Sequence, residues 1–179
     1  MVGKLYRIHW VGEAELPIDN LIKRYYRPES LLPLCKACEN YGKNYACPPA
    51  DADPLNLLCR FTHIRLFAAK LLLTEHVAKS EVESIYVDAM SYFNDVLYRK
   101  EAEKSKSMAV MPGSCRLCRE CARIEGEPCR HPAKLRMSLD AFSLEIAQMA
   151  KELFHIELQW YTNKQPEYLT MIGGILENE

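Results

Sequence analysis

The stretch CRLCRECARIEGEPCRHP, residues 115–132, sets Cys115, Cys118, Cys121 and Cys129 among arginines. Four thiols this close together serve either a metal or a disulfide framework, and the redox compartment decides between them. Zinc usually takes two separated Cys-x2-Cys knuckles to build its tetrahedron. Three thiols at successive intervals of three, with a fourth beyond, instead suit the wrap around a cubane iron–sulfur cluster. The seven residues between Cys121 and Cys129, and Arg130 and His131 before Pro132, depart from the bacterial ferredoxin string. Core packing is the third use, because buried cysteine behaves as a small hydrophobe and this spacing follows one helix face. Arg116, Arg119, Glu120, Arg123 and Glu125 leave that face only a narrow apolar stripe, and Gly126 and Pro128 interrupt its continuation.

Charge around the thiols points the same way. Residues 115–136 hold six Arg/Lys (116, 119, 123, 130, 134, 136) against three Glu (120, 125, 127), a local +3 in a chain of net charge −1. Four thiolates around a cubane leave an anionic site that cations and backbone N–H groups stabilise. A solvated basic face that docks an acidic partner is the alternative use of these arginines, and the two are compatible. His131 is placed either to donate to a cluster sulfur or simply to sit on the surface.

A second group, Cys35-x2-Cys38-x8-Cys47-Pro48-Pro49, has a knuckle and a third cysteine followed by proline. Its fourth donor is the open question. Cys59 follows in DPLNLLCRF, which reads as a short helix whose apolar face would hold that cysteine as a core residue. Without Cys59 the site has three thiolates and a position free for a substrate, a water or a partner's ligand.

The compartment reading rests on what the chain shows. MVGKLYRIHW lacks the apolar run and cleavage site of a signal peptide, and IRLFAAKLLL is too short and too charged for a membrane span. These features predict a soluble, cytoplasmic protein with reduced thiols, and so metal rather than disulfides. The five histidines, His9, His63, His76, His131 and His155, lack the spacing of a zinc protease or a catalytic triad. No Gly-rich phosphate loop occurs, so no nucleotide is indicated. Tyr25-Tyr26 between Arg24 and Arg27 has the composition for stacking on bases, but one short cluster is weak support for nucleic acid and packing is its commoner use.

The elements that must position the cysteines follow from periodicity. Alternation of Tyr6, Ile8 and Trp10 predicts a strand over 5–11, and three prolines predict loop over 12–34 with at most a helical turn. The run 64–73 reads as a strand buried on both faces. Ser80 and Glu83 have the form of a capping box for a helix reaching about residue 104. A short strand over 108–113 leads into the second cysteine group. Ser138 reads as the N-cap of a helix with Leu139, Phe142, Ile146, Met149, Ala150 and Leu153 on its apolar face. Its positive dipole end would favour an anionic cluster if it pointed inward. Strands are expected over 155–162, with Ile156, Leu158 and Trp160 inward, and over 168–177, where Gly173-Gly174 marks a bulge or a close backbone approach. Interspersed helices and strands give one α/β (α+β) domain over 1–179, a mixed sheet flanked by helices with cysteine loops at about 33–50 and 113–137.

With both groups read, the chain resembles a family of uncharacterised predicted metal-binding proteins, a domain of unknown function common in methanogens and other anaerobes. The resemblance spans roughly 33–176 and rests on Cys-x2-Cys…Cys-Pro-Pro, on Cys-x2-Cys-x2-Cys…Cys-Arg-x-Pro, and on Ser-x-Asp/Glu-Ala after it. Tyr45, where the family often has Trp, and Leu139, often Met, are mild departures that touch no ligand. The resemblance implies Cys35, Cys38, Cys47, Cys115, Cys118, Cys121 and Cys129 as metal ligands, and Cys59 lies outside its pattern. The expectation is an iron–sulfur protein, with one or two 4Fe–4S clusters, that moves electrons or activates a cofactor or enzyme with a protein partner. A zinc-stapled interaction module and an enzyme using the open three-cysteine site are the alternatives. Membrane and nucleic acid are not indicated as partners.

Overall fold

The run at 64–73 is the centre of the molecule. In a computed structural model of the chain, which describes residues 5–51, 53–74, 77–162 and 164–178, it forms β2 (His63–Leu73) and pairs on both edges. Its neighbours are β1 (Tyr6–Pro17) and β4 (Tyr168–Glu177), and β3 (Met108–Val110) lies beyond β4, giving the order β1-β2-β4-β3. Every strand pair is antiparallel, which corrects the expectation of a mixed sheet. The reason is the position of β4. The strands β2 and β3 do run parallel to each other, but β4 inserts between them antiparallel to both. With its helices this is an α+β fold.

Side chains alternate across β2, so each face of the sheet carries its own core. Ile64, Leu66 and Ala68 pack with Leu21 and Tyr25 of α1 (Ile18–Tyr25) and Met149 and Phe154 of α5 (Ile146–Phe154). Phe67, Ala69 and Leu71 pack on the other side against α4 (Lys79–Ala102), through Val82, Ile85, Ala89, Phe93 and Leu97. At roughly 1.5–3 kcal/mol for each large apolar side chain removed from water, these two layers dominate the stability of the fold. The Gly173-Gly174 pair is a close approach and not a bulge. A Cβ on Gly173 would lie 2.6 Å from Leu97 Cδ1, and the register with Phe67 and Leu66 runs through without a shift. The bulge lies in β1 instead, between Trp10 and Gly12, after which Ala14 and Leu16 serve the opposite core from Tyr6 and Ile8.

Several elements depart from the sequence expectation. Residues 12–34 extend β1 and then form α1 and α2 (Pro28–Ala37), because Pro17 and Pro28 stand at helix starts, where no N–H is required of them. The long helix is capped two residues earlier than Ser80: Glu81 accepts from the Ala78 N–H at 3.3 Å. The helix expected after Ser138 is split. A 3₁₀ turn spans Asp140–Phe142, Ser143 turns left-handed at φ 56°, and α5 begins only at Ile146. Pairing of Tyr26 with Leu144 occupies the break, with Arg27 N–H to Ser143 O at 2.8 Å and Glu145 N–H to Tyr25 O at 2.8 Å. The expected apolar face nevertheless enters one core. Residues 155–162 form no strand, and Trp160 is 73% exposed while Ile156 is buried, so alternation there lacked a partner. Tyr25 is fully buried and donates to Glu152 at 3.0 Å, the packing use of the tyrosine pair. Among the described residues no helix is long and apolar enough to cross a membrane. His76 lies outside them.

Candidate metal centre

The second cysteine group is a loop tied at its neck. Met111 donates to Met137 O at 2.9 Å and Leu139 donates to Met111 O at 3.2 Å, so residues 112–137 leave and return at one point beside β3. Within it the only regular piece is a 3₁₀ turn at Ala122–Glu125, and Cys115, Cys118 and Cys121 follow no helix. The core-packing use of these cysteines is thereby excluded, and all four are half-buried. The loop is fastened to α4 by Arg136, which forks onto Glu101 at 2.6 and 2.9 Å, and by the Tyr98 hydroxyl, which donates to Lys134 O at 2.6 Å.

The first group is built differently from the irregular loop expected. Cys35 lies on α2 and Cys38 closes its C-terminus, donating to Cys35 O at 3.0 Å. Turns then lead to Cys47, whose N–H meets Asn44 O at 3.1 Å, and to a cis bond between Pro48 and Pro49.

Each cysteine set lines its own open cleft. Cys115, Cys118, Cys121 and Cys129 line one of about 930 Å³, together with Arg116, Arg119, Arg130 and His131. Cys35, Cys38 and Cys47 line another, of about 470 Å³, with Asp140. Asn40 and Ser114 border both. A third cleft of about 620 Å³, largely apolar, adjoins the three-cysteine one through Leu31, Gly113, Asp140, Leu144 and Trp160.

The two loops are locked together by side chains reaching to backbone. Asn44, itself buried, donates from Nδ2 to Cys115 O at 2.8 Å and accepts the Ala46 N–H at Oδ1 at 2.9 Å. Arg123 donates to Asn44 O at 3.2 Å, Cys47 O at 3.4 Å and Pro49 O at 2.6 Å, with its guanidinium over the Tyr45 ring. The Tyr45 hydroxyl donates to Glu127 O at 2.8 Å. Four of the six cations of this segment are thus engaged in holding it or flanking it: Arg123, Arg136, Arg130 with Glu125, and Arg116 with Glu83. Arg123 and Arg136 are drawn into the fold, while Arg116, Arg119, Arg130 and Lys134 remain on an exposed basic face.

The thiols feel one another. Burial pushes Cys47 up to about 11, and Cys38, Cys35, Asp140 and Cys115 add to the effect. Burial also raises Cys35, followed by the charges of Asp140 and Cys38. Cys115 is raised by burial and by Cys121, Cys129 and Cys118, while an N–H bond from Leu117 lowers it. A second N–H, from His131, reaches Cys129 Sγ at 3.4 Å, so it is the backbone of that residue rather than its ring that donates to sulfur. Asp140 is raised by burial and lowered by its own backbone N–H; protein walls surround it although the cleft leaves it open to water.

This donor set fits a thiophilic metal or an iron–sulfur cluster: free thiols grouped four and three, half-buried except for the exposed Cys38, with N–H groups directed at sulfur in the set of four. Among the described residues no three Cys, His, Asp or Glu side chains stand together at ion-binding distance. The clefts bring the thiols onto common walls without closing them on a point. Cys59 borders neither the four-cysteine nor the three-cysteine cleft, and it is exposed, whereas Leu58 beside it is fully buried; it is not the core residue the sequence suggested. Sequence reasoning also passed over Asn44 and Asp140. Asn44 looked like a loop residue, and Asp140 like the first turn of a helix that does not form there.

A family model described as "Predicted metal-binding protein (DUF2284)" matches residues 28–176. The chain belongs to this family. Its match spans both cysteine groups and begins at α2, close to the extent read from the motifs. Metal binding is the property that the family's description carries, and the identity of the metal is not part of it. Neither a curated protein nor a solved structure matches the chain.

Proposed function

We propose that this member of the predicted metal-binding family is an iron–sulfur protein that passes electrons or activates a partner enzyme in a reducing, cytoplasmic setting. The observation that carries the reading is the confinement of Cys115, Cys118, Cys121 and Cys129 to one cleft, with Cys35, Cys38 and Cys47 in the next. The first four would hold a cubane, whose chemistry is one-electron transfer at a potential set by charge and hydrogen bonding around sulfur. The chain's own contribution is to fix the thiols by the Asn44 and Arg123 bonds, direct the Leu117 and His131 N–H groups at sulfur, and hold Arg116 and Arg130 near the resulting negative charge.

A partner must come close for electrons to pass, and the rims favour that. Ile124 at the four-cysteine cleft and Leu34 and Trp160 at the three-cysteine cleft are exposed large apolar residues, 50, 67 and 73% open. Such residues suit a protein that covers the site. Anaerobically purified protein is expected to be brown, with broad visible absorption that bleaches on reduction. A colourless, redox-silent protein holding zinc would support the stapled interaction module instead.

A further inference from the structure

We propose that Asp140 is the fourth donor of the three-cysteine centre, an exchangeable carboxylate that stands between that centre and the apolar cleft beside it. The proposal rests on the reading of Cys35, Cys38 and Cys47 as holding an iron-containing centre, and it names the donor which the cysteine pattern lacks.

The cleft itself narrows the choice. Among the described residues it is lined, besides the three cysteines, by one carboxylate, Asp140, and by no histidine, lysine or arginine. Ser138, one of its hydroxyl residues, is turned to the Ala141 N–H at 3.3 Å, and Asn40 is turned to Cys38 Sγ at 4.0 Å. Three thiols and a carboxylate thus share walls that supply no balancing cation. Metal binding deprotonates such thiols, and three thiolates with one carboxylate would then face a cationic core with no competing cation on the cleft walls.

Placement on a rigid element supports the role. Asp140 opens the 3₁₀ turn between Leu139 and Phe142, which are 1 and 0% exposed, so its backbone is fixed by two core anchors. Its carboxylate accepts from its own backbone N–H and engages no other side chain among the described residues, which leaves it free to reach the metal. Oxygen is the harder donor beside three thiolates, and hence the one that leaves most readily. Because Asp140 also borders the apolar cleft of Leu31, Leu144, Leu158 and Trp160, a ligand that replaces it would carry an anionic or thiol head on an apolar body. The exchange is a ligand substitution: the carboxylate leaves, a thiolate enters, and the thiol's proton passes to solvent.

The test uses the full chain carrying Cys118→Ser, loaded anaerobically with iron and sulfide so that only the three-cysteine centre reports, and titrated with 2-mercaptoethanol while its visible spectrum is followed. Asp140→Ala is expected to respond at a concentration about tenfold lower or less, and Asp140→Cys not to respond at all. Asp140→Asn, which keeps the shape, carries the same expectation as alanine should that variant fail to fold. Equal titrations for the parent, alanine and asparagine forms, with iron retained, overturn the assignment of Asp140 alone. Iron content that Cys38→Ser leaves unchanged overturns it together with the reading of the three-cysteine site.

Discussion

Asn44 joins the two cysteine groups directly: its Nδ2 donates to the carbonyl of Cys115 at 2.8 Å while its Oδ1 holds the Ala46 N–H at 2.9 Å, just ahead of Cys47. One buried amide therefore sets the spacing between a residue of each set. Asn44→Ala leaves a part-buried carbonyl and a buried N–H without their partner, which costs about 1–3 kcal/mol. The expected result is a lower thermal midpoint and reduced loading at both centres, read as metal per chain. Loss confined to one centre would show that the sets are positioned independently.

Arg123 and Arg119 sit in the same basic segment but are expected to behave differently. Arg123 donates to three backbone carbonyls of the first group and its side chain is 15% exposed. Arg123→Gln should cost about 1.5–3 kcal/mol, the scale of charge-assisted hydrogen bonds, and should lower metal retention. Arg119→Gln should fall within about 0.5 kcal/mol of the parent, as surface changes do, and affect only salt-sensitive partner association. Denaturant midpoints of the two variants, with metal counted in each, check this.

Glu152 gives the fold an acid-sensitive tie. Hydrogen bonds from Gln148, Arg24 and Tyr25 hold its carboxyl down at about 2, below the ordinary 4.5. A depressed carboxyl contributes stability that is present above its unfolded value and is lost as pH falls through its folded one. The contribution should fade between about 4.5 and 2. Glu152→Gln should therefore lie below the parent at neutral pH and converge on it toward pH 2, the difference being small because the site faces water and is screened. Urea midpoints across that range measure it.

How far the sequence reaches is clear from particular elements. The strands β2 and β4 and the long helix α4 were legible because each has an unbroken periodic pattern and a partner that fulfils it. The helices α1 and α2 were hidden behind Pro17 and Pro28, which mark helix starts as well as loops. The alternation at 155–162 was real in sequence but found no strand to pair with, and the helix face at 139–153 was real although Ser143 divides it. At the candidate site spacing marked both cysteine groups and left Cys59 open; the clefts gather Cys115, Cys118, Cys121 and Cys129 on one wall and Cys35, Cys38 and Cys47 on another, without Cys59. What was not legible is what joins them. Asn44 and Arg123 lie far apart in the chain and act through backbone groups, which leave no periodic or spacing signal.

Counting iron, acid-labile sulfide and zinc per chain after anaerobic purification tests the central claim most directly, done in parallel on the parent and on Cys118→Ser. The account predicts at least about four iron and four sulfide in the parent. It predicts that Cys118→Ser loses about that number, because the loop at 112–137 has little regular structure to keep its other three thiols in place without the metal. Stoichiometric zinc without sulfide, or a Cys118→Ser protein with unchanged iron, would contradict it.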